Sequence, residues 1–131
     1  MTQEEKQLLL TDLCARLPYG IIVHTWYNEC IDIKCIGIDL YTNAINLDIP
    51  NDDDAKVYID NVKPYLRPMS SMTEEEKLHY IVLGDIKRYI NPQYAYLISE
   101  QLNYLNAHHF DYRGLIEKGL ALYAPEGMYE I

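Results

Sequence analysis

A chain of 131 residues with 49% hydrophobic content is long enough for one domain with a real core, spanning 1–131, and too apolar for global disorder. Its formal charge of −9 argues against non-specific binding to DNA, RNA or an anionic membrane, which draws on excess Lys and Arg. Cys14, Cys30 and Cys35 are odd in number and lack CxxC spacing, which speaks against a disulfide framework and for a reducing compartment.

Thr2-Gln-Glu-Glu5 has capping-box spacing and predicts a helix start. Leu9, Leu10, Leu13, Cys14 and Leu17 give that helix one apolar stripe, and Pro18 and Gly20 end it. The charged start carries no apolar core of a signal peptide, and no apolar run is long enough to span a bilayer. A soluble, cytoplasmic protein is expected.

From Ile21 the period changes to two. Ile21, Val23 and Thr25 oppose Ile22, His24 and Trp26, and Tyr27-Asn-Glu-Cys30 reads as a turn. Ile31 and Ile33 form one apolar set, and Ile36, Ile38 and Leu40 form another in the opposite phase. The slip at Cys35–Gly37 predicts a bulge, because a one-residue shift moves every side chain to the other face. Ile45, Leu47 and Ile49 make a third strand, and Val57 to Val62 a fourth. Asn51-Asp-Asp-Asp54 lacks the alternation, glycine and distal Glu of a calcium loop and reads as a solvated turn.

Lys63 to Met72 carries Pro64 and Pro68 and reads as an extended connector. Thr73-Glu-Glu-Glu76 is a second capping box. Leu78, Ile81, Val82, Ile86 and Tyr89 predict the buried stripe of a second helix, and Asn91-Pro92 breaks it. Tyr94, Leu97, Ile98, Leu102 and Leu105 form the stripe of a third. The expected fold is α+β: an N-terminal helix, a small curled antiparallel sheet of about four strands, two C-terminal helices and an irregular C-terminal segment.

Tyrosine is the outlier, with 13 residues against one Trp and one Phe. Its flat apolar ring and polar tip suit interfaces and ligand walls. The C-terminal run concentrates the unusual chemistry: His108, His109, the lone Phe110, Tyr112, Arg113 and Gly114 within seven residues. Arg113 has the planar fork that clamps phosphate, Gly114 permits close backbone approach, and His109 can donate to phosphate or ribose. Tyr112, Tyr65 and Trp26 are candidates to stack on a purine, and Arg67 and Lys63 offer a second positive contact. The competing reading is a structural turn in which Arg113 pairs with a carboxylate. Adjacent histidines without an HxxxH companion are a poor metal set, and GxSxG, GxGxxG and P-loop patterns are missing. His24-Thr25 is only half of a two-histidine phosphoesterase motif. No catalytic residue, metal or cofactor is assigned.

Met1–Leu17, the block Lys63-Pro-Tyr-Leu-Arg-Pro-Met-Ser-Ser-Met-Thr-Glu-Glu-Glu76 and the block from Leu105 through His108-His-Phe-Asp-Tyr-Arg-Gly114 to Tyr129 resemble small phage and prophage proteins of gut anaerobes. The resemblance covers roughly half the chain and departs at Tyr123, where many relatives carry an acid. It brings no catalytic motif. It implies a phage-type protein acting on a host component in the host cytosol. One such class forms homo-oligomers that sequester nucleotide signals of bacterial immunity, of ADP-ribose or cyclic nucleotide type, without cleaving them. The alternative is a protein–protein interaction module that binds and inhibits a host protein.

Overall fold

The computed structural model describes residues 1–86 and 94–129. Helix α1 covers Gln3–Arg16 and opens as its sequence dictates. Thr2 Oγ1 accepts from the Glu5 amide at 3.1 Å, and the Glu5 carboxylate accepts from the Thr2 amide at 2.8 Å, satisfying two orphan donors of the first turn. A 3-10 turn over Leu17–Tyr19 follows, and Gly20, at φ 74°, reverses the chain into the sheet.

The sheet has seven strands: β1 Ile22–Tyr27, β2 Glu29–Asp39, β3 Ala44–Leu47, β4 Lys56–Tyr58, β5 Val62–Pro68, β6 Phe110–Asp111 and β7 Leu122–Tyr123. Their order is β4-β3-β2-β1-β5-β6, with β7 also on β5. The first five pair antiparallel, while β6 and β7 pair parallel to β5. Two expectations are corrected here. The strand count exceeds about four, and the sheet is mixed. The segment read as a connector supplies β5, a central strand. Pro64 is tolerated because it faces Val23 and precedes Tyr65, where pairing with β7 begins, so its missing donor leaves no ladder bond to β7 unmade. The supposedly irregular C-terminal segment supplies β6 and β7, whose two-residue lengths leave no periodicity to read.

The bulge is where the phase slip places it. Cys35 pairs with Leu47 but Gly37 with Asn46. A Cβ at Gly37 would stand 2.8 Å from Asn46 Nδ2, so a side chain there would have to push the Asn46 amide aside.

Leu9, Leu10 and Leu13 of α1 pack on Val23, Cys35, Ile45, Leu47, Val62 and Leu66, together with Leu115 and Leu120 from the C-terminal segment. Each such leucine contributes about 1.5–3 kcal/mol by burial. The stripe on α1 turns from the expected one. Cys14 is exposed, whereas Asp12 and Arg16 are buried. A smaller cluster of Met72, Leu105 and Phe110, flanked by Tyr80, Tyr104 and Tyr112, joins α2 (Glu74–Ile86) and α3 (Tyr94–Ala107) to the sheet. On α2 the first three residues of the expected buried stripe face water instead: Leu78 is 63% exposed, Ile81 53% and Val82 46%. On β2, Ile36 points to solvent, as does Leu40 just beyond it. The break at Asn91-Pro92 and Tyr89, with the side chains of Ile86, Tyr94, Leu97 and Ile98, lie outside the described residues.

Candidate functional site

The residues singled out from the sequence separate into two groups. Arg113, Tyr112 and His109 belong to a closed C-terminal knot. Arg113 Nη1 donates to Asp12 Oδ1 at 2.7 Å, and Arg16 Nε donates to Asp12 Oδ2 at 2.9 Å. Asp12 and Arg16 are fully buried, and Arg16 Nη2 also donates to the Phe110 carbonyl. Tyr112 offers its ring to both guanidinium groups, 4.6 Å from that of Arg113 and 5.4 Å from that of Arg16. Its hydroxyl donates to Asn106 Oδ1 at 2.7 Å. His109 is buried in the left-handed region at φ 60°, stacked on Tyr129 at 3.8 Å, with Nε2 3.1 Å from the Tyr19 carbonyl. Burial, then the nearby Arg16, pushes its pKa down to about 4. The Arg113 guanidinium is therefore a carboxylate partner tying helix to C-terminal segment, and His109 is closed to any solute.

Trp26, Lys63 and Tyr65 lie on the face of the sheet opposite the main core. The period-two rule and the β1–β5 register fix this, since Val23, Pro64, Thr25 and Val62 point inward while His24 pairs across from Lys63. On the other side His24 pairs with Asp32 of β2. One row across three strands thus reads Asp32, His24, Lys63. His24 Nδ1 and the Tyr65 hydroxyl both donate to Asp32 Oδ1, each at 2.8 Å, and the His24 and Tyr65 rings meet edge to face at 6.3 Å. The His24 hydrogen bond, seconded by Tyr65, holds Asp32 below the usual carboxylate range. Burial, then Asp32, pushes the Tyr65 phenol up to about 12. Two residues from His24, Trp26 is 62% exposed. Lys63 makes no ion pair among the described residues.

Arg67 continues the Lys63, Tyr65 series on β5 but enters a cleft against α2 and α3. Glu76 takes both its terminal nitrogens at 2.8 Å, and the guanidinium lies over the Phe110 ring at 4.2 Å. Glu76 also accepts from the Thr73 amide at 2.9 Å, completing the second capping box. The Arg67 contact is the main cause that lowers Glu76 to about 2. The cleft, about 580 Å³, is lined by Arg67, Thr73, Glu76, His79, Tyr104 and His108 among others. The rings of His79, Tyr104 and His108 form a tilted column, with centroids 4.9 and 4.3 Å apart. With its arginine already forked by a carboxylate, this cleft suits a neutral planar group better than a phosphate.

Sequence reasoning set His24 on the same face as Trp26 but did not assign it or Asp32 to the site. The signal was present: once β1 and β2 are drawn as a hairpin across Asn28, His24 falls opposite Asp32. Among the described residues, no group of three or more His, Cys, Asp or Glu is placed to hold a metal ion, and no helix is long and apolar enough to cross a membrane. No protein-family model, characterised protein or solved structure matches the chain.

Proposed function

We propose that this chain is a non-enzymatic binding protein that sequesters a nucleotide-type ligand, with the uncovered face of β1, β2 and β5 as its platform. The observation that carries the reading is that Trp26 and His24 of β1 and Lys63 and Tyr65 of β5 share one solvent-facing sheet surface. Exposed aromatic rings on a sheet stack bases at about 1–3 kcal/mol each, and an adjacent ammonium attracts phosphate. The resemblance to small phage and prophage proteins supports a host immune nucleotide, of ADP-ribose or cyclic nucleotide type, as the target. A sheet face holds a base from one side only, and the homo-oligomer expected from that resemblance would supply the opposite wall.

The test is incubation with a panel of ADP-ribose derivatives and cyclic dinucleotides, gel filtration, heat release and mass analysis. Retention and release of one intact compound, lost in Trp26→Ala and Lys63→Ala, is the expected result. Altered nucleotide would indicate an enzyme, and no retention would overturn the proposal.

A second reading has its own observation. Leu78, Ile81 and Val82 form an exposed aliphatic stripe at helical spacing, with Leu102 of α3 also exposed. Such faces mark protein contacts. A host-protein inhibitor would lose its partner in Ile81→Glu and ignore nucleotides.

A further inference from the structure

We propose that Asp32 reads the sugar, so that the sheet face takes ribonucleotides in preference to deoxyribonucleotides. The inference rests on the nucleotide reading above and narrows its ligand class.

Asp32 is held in an unusual way. Both of its donors, His24 Nδ1 and the Tyr65 hydroxyl, go to Oδ1. Oδ2 takes no hydrogen bond among the described residues, and the side chain is about half exposed. The carboxylate is thus anchored through one oxygen, and the other has no protein donor on a side chain that is about half in water. A bare carboxylate beside a phosphate site repels the ligand unless it accepts a hydrogen bond from it. A ribonucleotide can supply that donor. Its sugar carries two neighbouring hydroxyls between the base and the phosphate.

The spacing matches that order. Trp26 and Asp32 are diagonal neighbours on adjacent strands, about 7–8 Å apart. Lys63 lies beyond His24 in the Asp32 row, two strand spacings of about 4.8 Å away. A base on Trp26 therefore sets its sugar over the Asp32 carboxylate and its phosphate toward Lys63. Tyr65 contributes by positioning, since its hydroxyl is spent on Asp32.

Trp26 is the chain's single tryptophan, so its fluorescence reports the site directly. Titrations with AMP, 2′-deoxy-AMP and 2′,3′-dideoxy-AMP are to be run on wild type and Asp32→Asn, with circular dichroism confirming the fold of each. AMP should quench and bind about tenfold or more tightly than 2′-deoxy-AMP, and at least as much more tightly than the dideoxy compound, the scale of one hydrogen bond to a charged group. Asp32→Asn should erase most of that difference while still quenching. Equal affinity of wild type for AMP and 2′-deoxy-AMP, or undiminished discrimination by Asp32→Asn, overturns the role of Asp32 and leaves the platform standing. If no nucleotide quenches Trp26 at all, the platform reading falls and this inference with it.

Discussion

Replacing Asp12 by Asn should be among the most damaging single changes in the protein. Asp12 sits between the Arg16 and Arg113 guanidinium groups at 2.9 and 2.7 Å and is fully buried, as is Arg16. Arg16 keeps its bond to the Phe110 carbonyl, but that neutral acceptor cannot offset a full charge. Removing one partner of a buried ion pair strands the other, at about 3–5 kcal/mol. Here two like charges are stranded beside each other. Urea unfolding at neutral pH, with an m-value of about 2 kcal/mol/M, should show a midpoint lowered by roughly 1.5–2.5 M. Against a total stability of about 5–15 kcal/mol, that is a large fraction. The triple variant Asp12→Leu, Arg16→Met, Arg113→Met should recover most of the loss, because an apolar replacement removes the stranded charges with the pair. A midpoint shift below about 0.5 M for Asp12→Asn would refute the reasoning, as would a triple variant less stable than the single one.

Arg113→Ala should cost less than Asp12→Asn, because Asp12 keeps Arg16 and the Arg113 side chain is partly exposed; comparing the two urea midpoints checks the order. Gly37→Ala should destabilise by about 1–3 kcal/mol, since Asn46 must give way at 2.8 Å, and thermal unfolding reads it. His109 should remain neutral until about pH 4, as its ring signals in an NMR titration would report. Its folded pKa lies below the unfolded value of about 6.5, so the unfolded chain protonates first. Stability should therefore fall as pH drops from about 6.5 to about 4. For Glu76 the folded pKa is also depressed, to about 2, so its stabilisation is complete above the unfolded carboxylate range and lost as pH falls from there toward 2. Glu76→Gln should flatten that acid limb of the stability profile. Trp26→Ala should change stability by less than about 0.5 kcal/mol while abolishing ligand retention, because the ring is mostly in water.

Both capping boxes, the β1–β3 meander and the Cys35–Gly37 bulge were legible because each rests on local chemistry: a hydroxyl three residues before a carboxylate, or an alternation that slips by one. The residues that misled were those whose environment is set from far along the chain. Asp12 and Arg16 look like the wet side of α1 until Arg113 and Phe110 arrive, 101 and 94 residues later. Leu78, Ile81 and Val82 have helical spacing, but spacing does not say what covers a face. Pro64 and Pro68 hid β5, since a strand with neighbours on both sides seldom holds proline. At the site, Trp26, Tyr65 and Lys63 were singled out for their chemistry alone. Their sharing one face depends on pairing register, as does the presence of His24 and Asp32 beside them.

In the proposed function the ligand lands on the solvent-facing side of β1, β2 and β5. Amide chemical-shift mapping of isotope-labelled protein against ADP-ribose tests it most directly. Shifts should concentrate at His24, Trp26, Asp32, Lys63 and Tyr65. Shifts confined to the α2–α3 cleft around His79 and His108, or a spectrum that does not move, would contradict it.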